Sequence, residues 1–145
     1  MFAPKLNDSS NGLALVAGSF AAFLLAAAAL VTGGSWLETP TVLFGIPTGN
    51  LLAWLMAFSL PLSAWLLLRN SPLRWPALLL VLMGALWLPA SILLAGNVNL
   101  NYAEDLPFAT WLIYCAFCLA IPLVLIAGWT AVRLLVRLRA RFRSP

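Results

Sequence analysis

The segment Phe108–Arg143, FATWLIYCAFCLAIPLVLIAGWTAVRLLVRLRARFR, decides how the rest of the chain must be read. Its first 25 residues, to Val132, contain no Asp, Glu, Lys or Arg, and its last 11 contain five arginines. A helix needs about 20 mostly apolar residues to cross about 30 Å of hydrocarbon. An uncharged run of this length that ends in arginine therefore reads as a membrane span whose end is held in water by its charges.

Composition agrees. Of the 145 residues 63% are hydrophobic and only 8% are charged, where a soluble domain averages about 25% charged. Mean hydropathy is +1.01. So few polar groups cannot clothe a compact soluble fold, and an integral membrane protein is expected. The net charge of +4 would suggest nucleic acid on a polar chain with bases spread over one folded face. Here the bases gather at the ends of apolar runs, so no nucleic-acid partner is expected. The sequence has no histidine and two cysteines. Histidine-ligated haem, a histidine zinc site and a Ser–His pair are thereby excluded within the chain, and two cysteines make no disulfide framework.

Working outward from Phe108–Val132, three more runs have the length and composition of spans: Leu13–Val31, Leu51–Leu68 and Pro76–Ala95. None carries an ionisable Asp, Glu, Lys or Arg. Lipid offers the backbone no hydrogen bonds, so each must be helical. The expected fold is an all-α integral membrane protein, one domain with a four-transmembrane-helix bundle and a basic tail over residues 133–145. An even number of spans puts Lys5, Arg69, Arg74 and the five tail arginines on one side, joined there only by Asp8. Glu38, Glu104 and Asp105 fall on the other side. Basic residues stay on the cytoplasmic side, so both termini are expected to be cytoplasmic. A multi-pass protein of the cell inner (plasma) membrane is the expected setting. The first run, at 19 residues, exceeds the 7–15 of a signal h-region and is expected to be retained. The sequon at Asn7 lies on the inner side and is read as chance.

Span packing in lipid relies on small side chains. Ala14, Gly18, Ala22 and Ala26 repeat at four-residue steps, and Ala17, Ala21, Ala29 and Gly33 form a neighbouring stripe. The first stripe is the candidate helix-packing face, either within the bundle or against another membrane protein or a second copy of this chain. Pro61, Pro89 and Pro122 lie inside spans, can kink them, and free the carbonyls of Ala57, Ala85 and Cys118. Ser59, Ser63 and Ser91 are nearby hydroxyls expected to help satisfy them. Pro76 and Pro107 suit the first turn of a helix. Trp36, Trp54 and Trp111 are expected at the outer interface and Trp65, Trp75 and Trp129 at the inner one. Trp87 lies deeper, so its N–H needs a protein acceptor.

Few places offer chemistry. Cys115 and Cys118 have a C-x-x-C spacing, but apolar burial suppresses the reactive thiolate, and packing is the expected role. Membrane disulfide-exchange proteins are similar in having four helices, but they carry their reactive pairs at or beyond the membrane face. Asn97, Asn99, Asn101, Glu104 and Asp105 supply oxygen ligands in the loop 96–107, yet Tyr102 stands where a calcium loop needs glycine. A solvated turn is expected there, and no metal or cofactor. The loop 33–50 is unusually apolar and is expected to fold onto the membrane or bundle, or to meet a partner. Gly45, Pro47 and Gly49 argue against a regular element in it. Arg133, Arg137, Arg139, Arg141 and Arg143 are candidate contacts for lipid headgroups or a partner, with Leu134, Leu135, Leu138 and Phe142 on an apolar face. Small multidrug exporters look similar in having four short helices, but they depend on a membrane-embedded glutamate that every span here lacks. No catalytic set can be assembled by spacing. The expected function is that of a non-catalytic accessory, assembly or regulatory subunit of a larger membrane complex; a small oligomeric transporter or channel is the alternative.

Overall fold

The computed structural model describes residues 7–41, 45–95 and 106–143. They form five helices: α1 (Asn7–Thr32), α2 (Thr48–Leu68), α3 (Arg74–Ala85), α4 (Trp87–Ala95) and α5 (Leu106–Arg143). A single 3-10 turn, Ser35–Glu38, follows α1. Among the described residues the extended structure is limited to an isolated bridge between Pro40 and Pro47. The metal-loop residues Asn97, Asn99, Asn101, Tyr102, Glu104 and Asp105 lie outside the described residues, as do Lys5 and Val42, Leu43 and Phe44.

Three helices are long and apolar enough to cross a membrane, and α3 with α4 makes a fourth if the bent pair is one span. The helical class is as expected, and of the three runs whose interior proline can kink them, the one over residues 76–95 is the one that breaks. The chain bends there by 55°, and Leu86 leaves the helical region at φ −84°, ψ 2°. The cause is Pro89. It has no N–H for the Ala85 carbonyl and its ring crowds that turn. The fourth run is also longer than expected. The basic tail is no separate element, because α5 continues through Val132 to Arg143 as one 38-residue helix, about 57 Å at 1.5 Å per residue.

Turn chemistry sets the other boundaries. α1 stops where Gly33 takes φ +64° and donates its N–H to the Leu30 carbonyl at 3.3 Å, the left-handed exit that glycine favours. Gly34, at φ +125°, then opens the loop. At the other end of α2, the Ser71 N–H bonds the Leu68 carbonyl at 2.8 Å and the Ser71 Oγ accepts the Leu73 N–H at 3.2 Å. That five-residue turn feeds α3.

The described residues of the loop 33–50 make more hydrogen bonds than its glycines and prolines suggest. Beyond the 3-10 turn, the Thr41 N–H bonds the Ile46 carbonyl at 2.9 Å and the Thr48 N–H bonds the Thr39 carbonyl at 3.1 Å. Gly49 lies inside α2, not in the loop, and is buried against Leu37. Ile46 is buried too. The loop therefore caps the bundle.

α2 is the central helix and packs against α1, α3, α4, α5 and the 3-10 turn. Its tightest contact is with α3. A Cβ added at Gly84 would stand 2.2 Å from the Ala57 oxygen and 3.0 Å from the Phe58 Cα. The Ala57 carbonyl is the one Pro61 leaves without a helical donor, so a backbone able to offer only Cα–H lies directly on it. α1, by contrast, is attached along one side: its extensive contacts are with α2, aided by a 2.8 Å hydrogen bond between Ser19 and Ser63. α1 thus lies on the flank of the helical array.

Helix directions segregate the charges. The Arg69 guanidinium lies beside Gly12, so the end of α2 meets the start of α1. The opposite end brings together Leu30, Glu38, Asn50, Trp87 and Trp111. α2 and α5 therefore run one way, α1 and α3–α4 the other. Arg69, Arg74, Arg133, Arg137 and Arg139 belong to one end of the molecule and Glu38 to the other.

Candidate functional site

The break in α3–α4 creates a demand for donors, and aromatic side chains meet it. Trp54 on α2 donates its indole N–H to the Ala85 carbonyl at 3.0 Å, the oxygen that Pro89 deprives of a partner. Tyr114 on α5 donates its hydroxyl to the Met83 carbonyl in the same turn. In an apolar surrounding an unpaired carbonyl costs several kcal/mol at most, and indole and phenol groups bring a donor on a largely apolar body. Expected donors Ser59, Ser63 and Ser91 do something else. Ser63 bonds the Ser59 carbonyl at 2.9 Å and Ser91 bonds the Trp87 carbonyl at 2.7 Å, each within its own helix. The Ser59 hydroxyl is buried with no partner among the described residues.

Beyond the break, α4 and α5 are tied by two further indoles. Trp87 donates to the Cys115 Sγ at 3.2 Å. Trp111 donates to the Ser91 Oγ at 2.8 Å. The two rings lie 6.2 Å apart, tilted by 53°, a favourable edge-to-face range. Trp87 is 4% exposed and Trp111 7%. Trp111 is therefore a core residue, a correction to its expected place in the interfacial belt. It sits at belt depth but on the side of α5 that faces α4.

The other tryptophans divide by end. Trp36 is exposed and its N–H closes on the Gly33 carbonyl at 3.1 Å. At the arginine end, the Arg74 guanidinium lies 5.0 Å above the Trp75 ring and that of Arg133 lies 5.0 Å above Trp129. These are cation–π contacts, the first on an exposed indole and the second on a half-buried one whose N–H has no partner among the described residues.

Between the 3-10 turn, α2, α4 and α5 the described residues line a partly open cavity of about 780 Å³. Its wall includes Glu38 and Asn50 near the loop, Ala53 and Met56 on α2, and Trp87, Trp111 and Cys115 opposite. That size falls within the usual range of small-molecule sites, about 300–1,000 Å³. A second crease of about 540 Å³, lined by Leu51, Trp54, Leu55, Phe58 and Ala85, lies on the other side of Trp54 and is apolar.

The small-residue stripe is split. Ala26 is buried and Ala22 half-buried, whereas Ala14 and Gly18 are exposed, and Gly18 has nothing within 4 Å of its Cβ position. Ala17 and Ala21 are exposed as well. Ser19, half-buried, is the α1 residue that hydrogen-bonds to α2, through Ser63. Arg133, Arg137 and Arg139 are exposed on α5; the side chains of Arg141 and Arg143 lie outside the described residues. Cys118 is fully buried while Cys115 is half-buried on the cavity wall, and both are free thiols. Among the described residues no three His, Cys, Asp or Glu side chains gather as a metal site.

Sequence reasoning missed Trp54 and Tyr114 as carbonyl donors and Asn50 and Met56 as cavity residues. A signal was present for the first two: Pro89 announces a carbonyl in need, and Trp and Tyr are the donors that tolerate apolar burial. No comparable signal marks the cavity. The chain matches no protein-family model, no curated protein and no solved structure.

Proposed function

We propose that the chain is a non-catalytic, four-span protein of the cell inner membrane, with both termini cytoplasmic. It serves as an accessory, assembly or regulatory subunit of a larger membrane complex. The observation that supports this reading is α1. It is attached along one side, and it turns Ala14, Ala17, Gly18 and Ala21 away from the rest of the chain. In lipid, close helix association depends on small residues that let backbones approach. A helix of another membrane protein, or of a second copy of this chain, fits that face. The exposed arginines that prolong α5 add a cytoplasmic contact for anionic lipid headgroups or the same partner. The test is purification from native membranes in mild detergent after crosslinking. A membrane subunit that co-purifies with the wild type and is lost with Gly18→Leu supports the reading; a lone monomer without crosslinks contradicts it.

A second reading is a small oligomeric transporter or channel. The broken span beside a cavity favours it, since discontinuous helices often surround transported substrates. Proteoliposomes that carry no flux of ions or small uncharged solutes would remove it.

A further inference from the structure

We propose that the cavity at the Glu38 end is a binding site for a small apolar organic cation: a protonated amine or quaternary onium on an aromatic or branched hydrocarbon body. The site is distinct from the exposed α1 face, and its test does not depend on whether the chain is an accessory subunit.

Size is the first observation. A space of about 780 Å³ exceeds the needs of packing and is ample for a drug-sized molecule. The lining is the second. Ala53, Met56, Trp87 and Trp111 make most of the wall apolar, which favours a hydrocarbon body over a sugar or a nucleotide.

Electrostatics sets the sign. Among the described residues of the wall Glu38 is the only ionisable carboxylate, and it is an exposed residue, not a buried one. The described arginines Arg69 and Arg74 follow α2, which spans 21 residues from the cavity end, so they stand about 30 Å away at 1.5 Å per residue. At that distance, several screening lengths in physiological salt, they neither neutralise Glu38 nor attract an anion to the site. The N–H groups of Trp87 and Trp111 are engaged by Cys115 and Ser91, and both indoles are buried, so they leave a ligand apolar surface and no free donor for an anion. A carboxylate at the mouth of a mostly apolar wall selects positive charge on an apolar frame.

The experiment uses two ions of nearly the same shape and opposite charge, tetraphenylphosphonium and tetraphenylborate. Binding to the purified full-length protein in a neutral detergent is measured by equilibrium dialysis, against empty micelles. Thermal unfolding and alkylation of Cys115 by N-ethylmaleimide are read alongside. The expected result is saturable binding of the phosphonium, a rise in unfolding temperature, and slower alkylation of Cys115, with no such effects from the borate. Glu38→Gln is expected to weaken phosphonium binding about three- to tenfold, in line with one partly screened ion pair. Because Glu38 is exposed, this variant is expected to keep the wild-type unfolding temperature. Ala53→Phe, which fills the floor of the cavity, is expected to abolish binding. Equal binding of the two ions, no saturable phosphonium binding, or phosphonium binding unchanged by Glu38→Gln would each overturn the proposal.

Discussion

α1 and the broken pair α3–α4 are both apolar, each with its one charged residue in the first turn, Asp8 and Arg74, and the structure uses them in opposite ways. In α3–α4 the small residue Gly84 is pressed against the α2 backbone, and the interruption at Leu86 is held by donors from both neighbours. In α1 the helix is continuous, a side chain added at Gly18 would meet open space, and one neighbour does nearly all the packing. A glycine in a span thus marks close approach only where another backbone is actually there. The difference also predicts which helix can be altered without harm to the fold.

The largest contrast is expected between the two glycines. Gly84→Val places side-chain atoms where the Ala57 carbonyl already lies and is expected to destabilise the protein by about 3 kcal/mol. Gly18→Val is expected to shift stability by no more than about 0.5 kcal/mol in the isolated chain. Reversible unfolding in mixed micelles reads both; comparable losses would erase the distinction. Next in size is the break itself. Trp54→Phe keeps the ring but orphans the Ala85 carbonyl, with an expected cost of about 1–2 kcal/mol. Tyr114→Phe does the same to Met83 at about 1 kcal/mol. Because the two donors hold one turn, the double variant is expected to depart from additivity by about 0.5 kcal/mol or more. Strict additivity would mean that the two bonds do not stabilise a common bend. The smallest effect belongs to α1. Ser63→Ala removes its hydrogen bond to Ser19 and is expected to cost about 0.6 kcal/mol, near the average for such bonds between membrane helices. Hydrogen exchange should rise along α1 more than along α3; a uniform rise would argue against a separately attached flank.

Much of the helical layout was legible because a run of about 20 uncharged residues has few alternatives. That logic places α2 within three residues of its observed bounds, whereas α1 begins six residues before its apolar run and α5 continues eleven residues past its own, and Pro89 correctly marks where α3 gives way to α4. What it cannot supply is rotation about the helix axis. A span that is apolar all round has no polar face to show which side turns inward. This is why Trp111 reads as a belt residue while its ring lies in the core, and why the Ala14–Ala26 stripe reads as one face while only its Ala26 end is buried. The donors Trp54 and Tyr114 were hidden for the same reason. The turn at Ser35–Glu38 and the inclusion of Gly49 in α2 depend on contacts with Leu37 that no local pattern encodes.

The central claim is that α3–α4 crosses the membrane despite its bend, so that every described arginine shares one side. Single cysteines at Ser35, Asn70 and Arg139, probed in intact cells with an impermeant thiol reagent against wild-type background, test this directly. Ser35→Cys is predicted to react from outside, and Asn70→Cys and Arg139→Cys only after the membrane is opened. Labelling of Arg139→Cys from outside while Asn70→Cys stays protected would mean that the bent pair turns back within the bilayer, and would contradict the account.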